Sequence, residues 1–221
     1  MSENSVAGES QTTTSQGTIE IDSAATPWQE IYRRLVEVVV PRPIALVSTV
    51  DEEGRSNLAP FSFFTVVSSN PPCLAFAPQR SGRTGELKDT LLNARATGEF
   101  VVAVVTEELA ARVNSASASL PRGTSEFEHA GLTPARAKHV KAPLVAESPV
   151  NIECRVVEVR TYGDGPGAGS LVVGEVMAVH LLRELLDEGG HVTAEHLRAV
   201  GRMGGDLWVR TRETFGLPRP G

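Results

Sequence analysis

The chain has 221 residues, of which 41% are hydrophobic and 22% charged, a composition typical of one globular domain with a single large core. Its formal net charge of −6 argues against a nucleic-acid partner, because proteins that bind the phosphate backbone carry a surplus of basic residues. No apolar run approaches the ~18 residues that span a bilayer, and the N-terminus lacks the basic and apolar regions of a secretory signal. We therefore expect a cytoplasmic protein without a membrane partner.

The N-terminal segment, residues 1–25, is acidic, rich in Ser and Thr, and nearly devoid of large apolar side chains. Such a segment cannot bury enough apolar surface to offset the entropy lost on ordering, so we predict a disordered tail. Residues 26–221 are then expected to form a single domain.

The first predicted helix lies in the stretch "TPWQEIYRRLVEVV". Thr26 suits the N-cap position, and Pro27 suits the first helical position. Apolar side chains recur at helical spacing and predict one apolar face, formed by Trp28, Ile31, Tyr32, Leu35 and Val36. Pro41 and Pro43 end the helix.

Short apolar runs separated by Gly, Asn and Pro have the pattern of β-strands. They are "PIALVSTV", "FSFFTVVS", "PCLAFAP", "EFVVAVV", "VNIECRVVEVR" and "SLVVGEVMAVHLL". Two segments between them, "ELKDTLLNARATG" and "TEELAARVNSASA", predict helices, the first closed by Gly98. In "VNIECRVVEVR" the alternation slips phase after Val156, which a β-bulge or burial of both faces would explain. Because strands outnumber helices and are joined by hairpin-like turns, we predict an antiparallel barrel or sandwich with helices outside it.

The sequence lacks the common patterns of catalytic and metal-binding side chains. The histidines show no metal-site spacing, and no G-x-S-x-G elbow marks a serine nucleophile, so we predict no metal and no catalytic side chain. The glycine-rich "YGDGPGAGS" precedes a strand rather than a helix, which favours a hairpin loop over a nucleotide-binding turn. Cys73 and Cys154 lie among apolar neighbours and are expected to be buried, reduced thiols, with a disulfide between them left open.

The stretch "QRSGRTGELKDT" combines cations, hydroxyls and the start of a helix. Arg80, Arg83, Lys88 and Thr90 lie where the amides of a helix N-terminus would also be available, and this combination suits a terminal phosphate. The alternative is a solvated basic loop that leads into a capped helix.

The stretch "STVDEEGRSNLAPFSFF", residues 48–64, gathers phenylalanine in a chain with only 5% aromatic residues. Asn57, Ser62 and backbone amides could bind the polar edge of a heteroaromatic ring, with the phenylalanines as pocket walls. The alternative is that the phenylalanines are core residues of an alternating strand. Gly54 serves the turn geometry of "DEEG".

The order of several segments resembles the flavin reductase-like, FMN-binding split-barrel family. The segments are "PRPIALVSTVDEEGRSNLAPFSFFTVVSSNPPCLAFAP", "KDTLLNARATGEFVV", "FEHAGLTP" and "SPVNIECRV", and the resemblance runs from about Pro41 to Val157. It implies a mainly β fold, a six-stranded antiparallel split β-barrel with flanking α-helices. It also implies a homodimer with FMN bound near the subunit interface.

The same resemblance implies which residues bind FMN. The ring and ribityl chain would be lined by Ser48, Thr49, Asn57, Leu58, Ala59, Phe61 and Ser62, and the phosphate would be bound by Arg80, Arg83, Lys88 and Thr90. A C-terminal element, "GRMGGDLW", contains Gly204 and is similar to a family element that approaches the flavin, from the same or the other subunit. The sequence departs from the family pattern at two positions, with Ala103 where asparagine is common and Trp208 where tyrosine is frequent. These departures leave the identity of the second substrate undetermined.

The resemblance implies an oxidoreductase in which FMN carries the redox chemistry. The leading hypothesis is an NAD(P)H-dependent flavin reductase, in which NADH or NADPH passes hydride to N5 of FMN. Electrons would go on to oxygen, iron or a partner monooxygenase. The alternatives are a flavoredoxin-like electron carrier without its own NAD(P)H site, and a binding module that has lost flavin.

Overall fold

The structure is a computed structural model that describes residues 12–13, 17–118, 120 and 124–220. Within these ranges the elements in chain order are β1 Thr12–Thr13, β2 Ile19–Glu20, α1 Trp28–Val38, β3 Arg42–Pro43, β4 Ala45–Val50, β5 Ser56–Phe61, β6 Phe64–Ser69, β7 Pro72–Phe76, α2 Asp89–Thr97, β8 Glu99–Val104, α3 Ala110–Ser115, α4 Glu126–Ala130, β9 Pro134–Ala135, β10 Leu144–Val145, β11 Val150–Tyr162, β12 Gly169–Leu181, a 3-10 turn at Arg183–Leu185, α5 Ala194–Leu197, β13 Val200–Arg202 and β14 Trp208–Arg210. Of the tail predicted to be disordered, residues 1–11 and 14–16 lie outside the described residues. None of the described helices is long and apolar enough to cross a bilayer.

The main sheet has seven strands in the order β5-β4-β8-β11-β12-β7-β6, and every neighbouring pair is antiparallel. The prediction of a mainly antiparallel β fold with flanking helices is confirmed, but the expected number of six strands was wrong. The six apolar runs did not predict strand β5. Its sequence "SNLAPF" contains polar and small residues and Pro60. Proline is tolerated here because β5 is an edge strand and need not donate to a second neighbour.

The sheet curls into an open barrel because its two edge strands are consecutive in the chain. β5 ends at Phe61 and β6 begins at Phe64, so the edges stand within about 11 Å of each other at this corner. Phe61 packs on Phe76 of β7 with ring centroids 5.2 Å apart, and Phe61 and Phe64 both pack against the same interior cluster. The run "FSFF" is therefore the corner between two strands and not one strand.

The barrel interior is an apolar core closed at one end by α2. Val47, Phe76, Phe100 and Val102 point inward and meet Leu91 of α2. As predicted, α2 ends at Gly98, which adopts the left-handed conformation with φ +70°. The core thus fixes the helix whose N-terminus faces the site described below.

The opposite face of the β4–β8 region packs against α3 and α4. Leu46 and Leu58 lie in one buried cluster with Val113 of α3 and Phe127 of α4. Ala103, one of the two family departures, is fully buried in this cluster. The small apolar side chain of Ala103 therefore belongs to the core between the sheet and the two helices α3 and α4.

The longest strands, β11 and β12, form a hairpin with the glycine-rich loop at its tip, as predicted. The pairing passes from Val156 opposite Gly174 directly to Glu158 opposite Val173, so Val157 is the extra residue of a β-bulge. The predicted bulge is confirmed and explains the slipped alternation.

Helix α1 lies on the surface, and none of its residues is buried. The helix begins at Trp28, one residue later than predicted, and no side chain caps it, so the Thr26 cap was wrong. Pro27 instead supplies the carbonyl that accepts from the amide of Glu30 at 3.0 Å. A fixed proline φ suits this position as well as the first helical one.

The C-terminal end of α1 is bound by a buried arginine. Arg42 donates to the carbonyls of Val36 and Val39 at the helix end, and to that of Met203 at 2.9 Å. A cation at a helix C-terminus is favourable, because the last carbonyls carry partial negative charge. The "PRP" segment thereby fixes α1 to the β13–β14 region.

Candidate functional site

A cleft of about 790 Å³ lies between β5, the loop 79–88 and the N-terminus of α2. Its lining contains eight of the twelve residues predicted to bind the cofactor, namely Asn57, Leu58, Ala59, Phe61, Arg80, Arg83, Lys88 and Thr90. Residues of the stretches 48–64 and 79–90 therefore form opposite walls of one cleft.

The other four predicted residues do not line this cleft within one chain. Ser48 is fully buried on the outer face and donates to the carbonyl of Pro143, and Ser62 lies at the corner between β5 and β6. Thr49 is fully buried beneath α2, and Gly204 packs against Glu37 of α1. A role of these four toward a cofactor stays a prediction.

The wall formed by β5 is held to α2 by buried polar side chains. The side-chain nitrogen of Asn57 donates to the Thr90 hydroxyl at 2.8 Å, and that of Asn93 donates to the Thr49 hydroxyl at 3.1 Å. Sequence reasoning missed Asn93. The signal was its position three residues after Thr90, on the same face of the helix.

The basic loop, residues 79–88, is internally hydrogen-bonded. The amide of Gly85 donates to the Ser81 carbonyl at 2.8 Å, and the Ser81 amide donates to the Glu86 carbonyl at 2.9 Å. Arg80 donates from Nη1 to the Gly85 carbonyl at 2.9 Å. The loop is therefore a closed turn stabilised by an arginine.

The junction of the basic loop with α2 has the properties of an anion site. Arg83 and Lys88 are exposed, and among the described residues neither forms an ion pair. The Arg80 Nε is buried without a hydrogen-bond partner in the described part of the chain. No side chain caps α2, whose N-cap residue is Lys88. Since helix N-termini and guanidinium groups both favour anions, these groups fit a phosphate.

The other end of the cleft is acidic. Glu126 of α4 is half-buried there and accepts a hydrogen bond from the Leu58 amide at 3.3 Å. Burial raises the pKa of Glu126, and the nearby charge of Asp89 raises it further. Glu126 also lines a smaller neighbouring pocket of about 350 Å³, together with Asp51 and Asn93. Nothing in the sequence indicated Glu126, because the fold brings it from a distant segment.

The described residues contain no group of three or more His, Cys, Asp or Glu side chains that could bind a metal ion. Cys73 and Cys154 are buried and unpaired, as predicted. Burial raises the pKa of Cys154 to about 12, so this thiol is un-ionised at neutral pH.

An open antiparallel barrel with a phosphate-suited cleft beside its edge strand defines a flavin reductase-like fold, and the chain belongs to this family. The family model of the flavin reductase like domain matches residues 38–199. The family predicted from the sequence is confirmed.

Three similar proteins illustrate the match. A protein of Halalkalibacterium halodurans is 40% identical over 194 residues, which cover 87% of this chain and 92% of that protein. The structure of nitrilotriacetate monooxygenase component B from Bacillus cereus superposes with a TM-score of 0.85 at 34% identity, covering 92% of this chain and 100% of that one. The 2-nitrobenzoate 2-nitroreductase of Pseudomonas fluorescens gives a TM-score of 0.81 at 29% identity, covering 91% and 96% of the two chains.

Proposed function

We propose that the protein is an FMN-binding oxidoreductase that acts as an NAD(P)H-dependent flavin reductase. The observation that carries the proposal is the junction of the basic loop with α2. Among the described residues Arg83 and Lys88 have no acidic partner there, and the buried Arg80 Nε has no acceptor. A phosphate bound at this junction would supply the acceptor that these groups lack, and the phosphate is what distinguishes FMN from riboflavin.

Residues of β5 would bind the flavin ring. Ala59 presents only a methyl group, so a flat ring can approach the strand closely, while Phe61 offers an apolar wall fixed by Phe76. Asn57 uses one amide hydrogen on Thr90 and keeps a second hydrogen and its carbonyl oxygen for a polar ring edge. The chain thus supplies binding and orientation.

Bound FMN would supply the redox chemistry, which is hydride acceptance from NADH or NADPH and electron transfer to an acceptor. Arg80, Arg83 and Lys88 would balance the phosphate charge at one end, and Glu126, whose pKa is raised by burial, would lie at the other.

The acceptor is proposed to be oxygen, an iron complex or a partner monooxygenase. The 34% identical Bacillus cereus protein is a component of a monooxygenase, which favours a partner of that kind. The 29% identical Pseudomonas protein reduces a nitro compound, which supports reductase chemistry on this fold.

The protein is further proposed to form a homodimer. In a single chain, α1 exposes Leu35 by 53% and Val38 by 71%, and β6 exposes Val66 by 68%. A second copy would cover such apolar surface. Gly204 packs on α1, so a dimer formed through this helix would bring "GRMGGDLW" to the interface, where it could approach the partner's cleft.

The test is to mix the purified protein with FMN and either NADH or NADPH under air, and to follow the loss of nicotinamide absorbance against a protein-free control. Oxidation above the control supports a flavin reductase. A protein that binds FMN tightly, accepts electrons from dithionite and oxidises neither nucleotide is the electron carrier instead. If the protein binds no flavin, the remaining alternative is a binding module that has lost flavin.

A further inference from the structure

The indole of Trp28, at the start of α1, lies against glycines of two separate loops. A Cβ added to Gly167 would lie 2.5 Å from Cη2 and 2.7 Å from Cζ3 of the indole, closer than any real contact. A Cβ on Gly82 would lie 3.6 Å from the same Cη2. Gly167 belongs to the β11–β12 tip and Gly82 to the basic loop, so the indole edge bridges the two loops.

The tip of the β11–β12 hairpin also holds the basic loop through its backbone. The Arg80 amide donates to the Ala168 carbonyl at 2.8 Å, and the Ser170 amide donates to the Pro78 carbonyl at 3.0 Å. A Cβ on Gly85 would be in ordinary contact with Pro166, at 3.7 Å. The basic loop is thus packed between the cleft and a second loop, with Trp28 across one side.

Apart from its internal hydrogen bonds and Leu87, which is partly buried against the barrel core, the basic loop has few anchors. Between residues 81 and 88 no side chain is buried, and Gly82, Arg83, Thr84 and Lys88 are exposed. Segments with few buried contacts open locally unless neighbouring elements hold them. Trp28 is itself 44% exposed on a helix without buried residues, and the edge of its indole lies against these two glycines.

We propose that Trp28 is a positioning residue for phosphate binding. By packing against Gly167 and Gly82, the indole holds the basic loop in the conformation that presents Arg83 and Lys88 to the phosphate. The inference rests on the proposed function. It assigns to Trp28 the preference for a phosphorylated flavin over riboflavin, without any contact between Trp28 and the flavin.

The experiment measures the dissociation constants of FMN and riboflavin by equilibrium dialysis for the wild type, Trp28→Ala, Trp28→Phe and Gly167→Ala. We expect Trp28→Ala to weaken FMN about tenfold and riboflavin less than about twofold, with Trp28→Phe closer to the wild type. Gly165→Ala is the matched control, because a Cβ there meets nothing within 4 Å. Equal weakening of both flavins, or no change in either, overturns the proposal.

A double-variant cycle isolates the contact between the two residues. Gly167→Ala alone suffers both the clash with Trp28 and a left-handed φ of +79°. In the Trp28→Ala background the clash is removed, so Gly167→Ala should weaken FMN binding by a smaller factor than in the wild type. Strictly multiplicative effects would show that the two residues do not act through each other.

Limited trypsin digestion without flavin separates this inference from the proposed function. If the wild type binds neither FMN nor riboflavin, the proposed function fails, yet the loop can still be examined. Trp28→Ala should be cut faster after Arg83 and Lys88 than the wild type and Gly165→Ala, with cleavage sites identified by mass spectrometry. Unchanged cleavage in this loop overturns the positioning role.

Discussion

Thr49 and Asn57 stand directly opposite each other in the β4–β5 ladder, and each is hydrogen-bonded to a different residue of α2. Asn57 donates to Thr90, and Thr49 accepts from Asn93 one turn further along the helix. Since all four side chains are buried, they form a compact polar cross-link between a hairpin and a helix. The two walls of the cleft are thereby fixed relative to each other.

Thr90→Val is expected to destabilise the protein by about 1–3 kcal/mol, because the buried amide of Asn57 loses its acceptor. The free energy of unfolding in urea measures the effect. Thr65→Val is a matched control, since Thr65 is exposed on β6 and, within the described chain, its hydroxyl donates to the adjacent Val66 carbonyl. Stability equal to that of the wild type would show that the bond does not hold the hairpin to α2.

Lys88→Ala is expected to weaken FMN binding by about tenfold and riboflavin binding by less than about twofold, because only FMN carries the phosphate. Added salt should narrow the difference between wild type and variant, since screening weakens the exposed ammonium. Lys141→Ala removes the same charge away from the cleft and serves as the control. Equal weakening of both flavins by Lys88→Ala would contradict a phosphate contact.

Glu126→Gln is expected to stabilise the protein at neutral pH. Burial and the neighbouring Asp89 raise the pKa of Glu126 in the folded protein, so the folded state favours its protonated form. Its contribution to stability is therefore greatest below the unfolded-state pKa and is lost as pH rises through the folded-state pKa. Glutamine avoids that loss and can still accept from the Leu58 amide.

Urea unfolding across a pH series measures this difference, which should shrink in acid, where Glu126 of the wild type is protonated. Glu128→Gln on the exposed side of the same helix is the control. A variant less stable than the wild type at neutral pH would contradict the raised pKa.

Local signals predicted the elements that form the cleft but not the direction of every side chain. The basic loop, the start of α2 and Gly98 as its end could be read from residue types, because the signals that begin and end a helix are local. Ser48 and Thr49 are adjacent in β4, so they point to opposite faces, and the sequence does not say which face lies under α2.

The contacts missed from sequence are those between distant segments. Glu126 reaches the cleft because α4 packs beside β5, and Trp28 meets Gly167 because the first residue of α1 packs on the hairpin tip. Neither residue lies in a local pattern that specifies its partner. The strand β5 was missed for a different reason, since its small and polar residues conceal the alternation.

Glu153 is a fully buried carboxylate whose ionised form is stabilised by the fold. Burial alone would raise its pKa, but hydrogen bonds from the amides of Lys138, His139 and Val140 and from the ring of His180 outweigh burial and lower the pKa. A carboxyl with a lowered folded-state pKa contributes stability above its unfolded-state pKa. That contribution is lost as pH falls through the folded-state pKa, which lies below the ordinary value of 4.5.

Glu153→Gln should therefore cost about 1–3 kcal/mol at neutral pH, because an amide group brings hydrogens toward backbone donors and leaves one of them without an acceptor. Urea unfolding at neutral and acidic pH measures the cost, which should diminish in acid as the wild-type carboxylate is protonated. Glu158→Gln is the matched control, since Glu158 is exposed on the same strand just beyond the bulge. An identical acid dependence of stability in the wild type and Glu153→Gln would exclude Glu153 as the group whose protonation destabilises the fold.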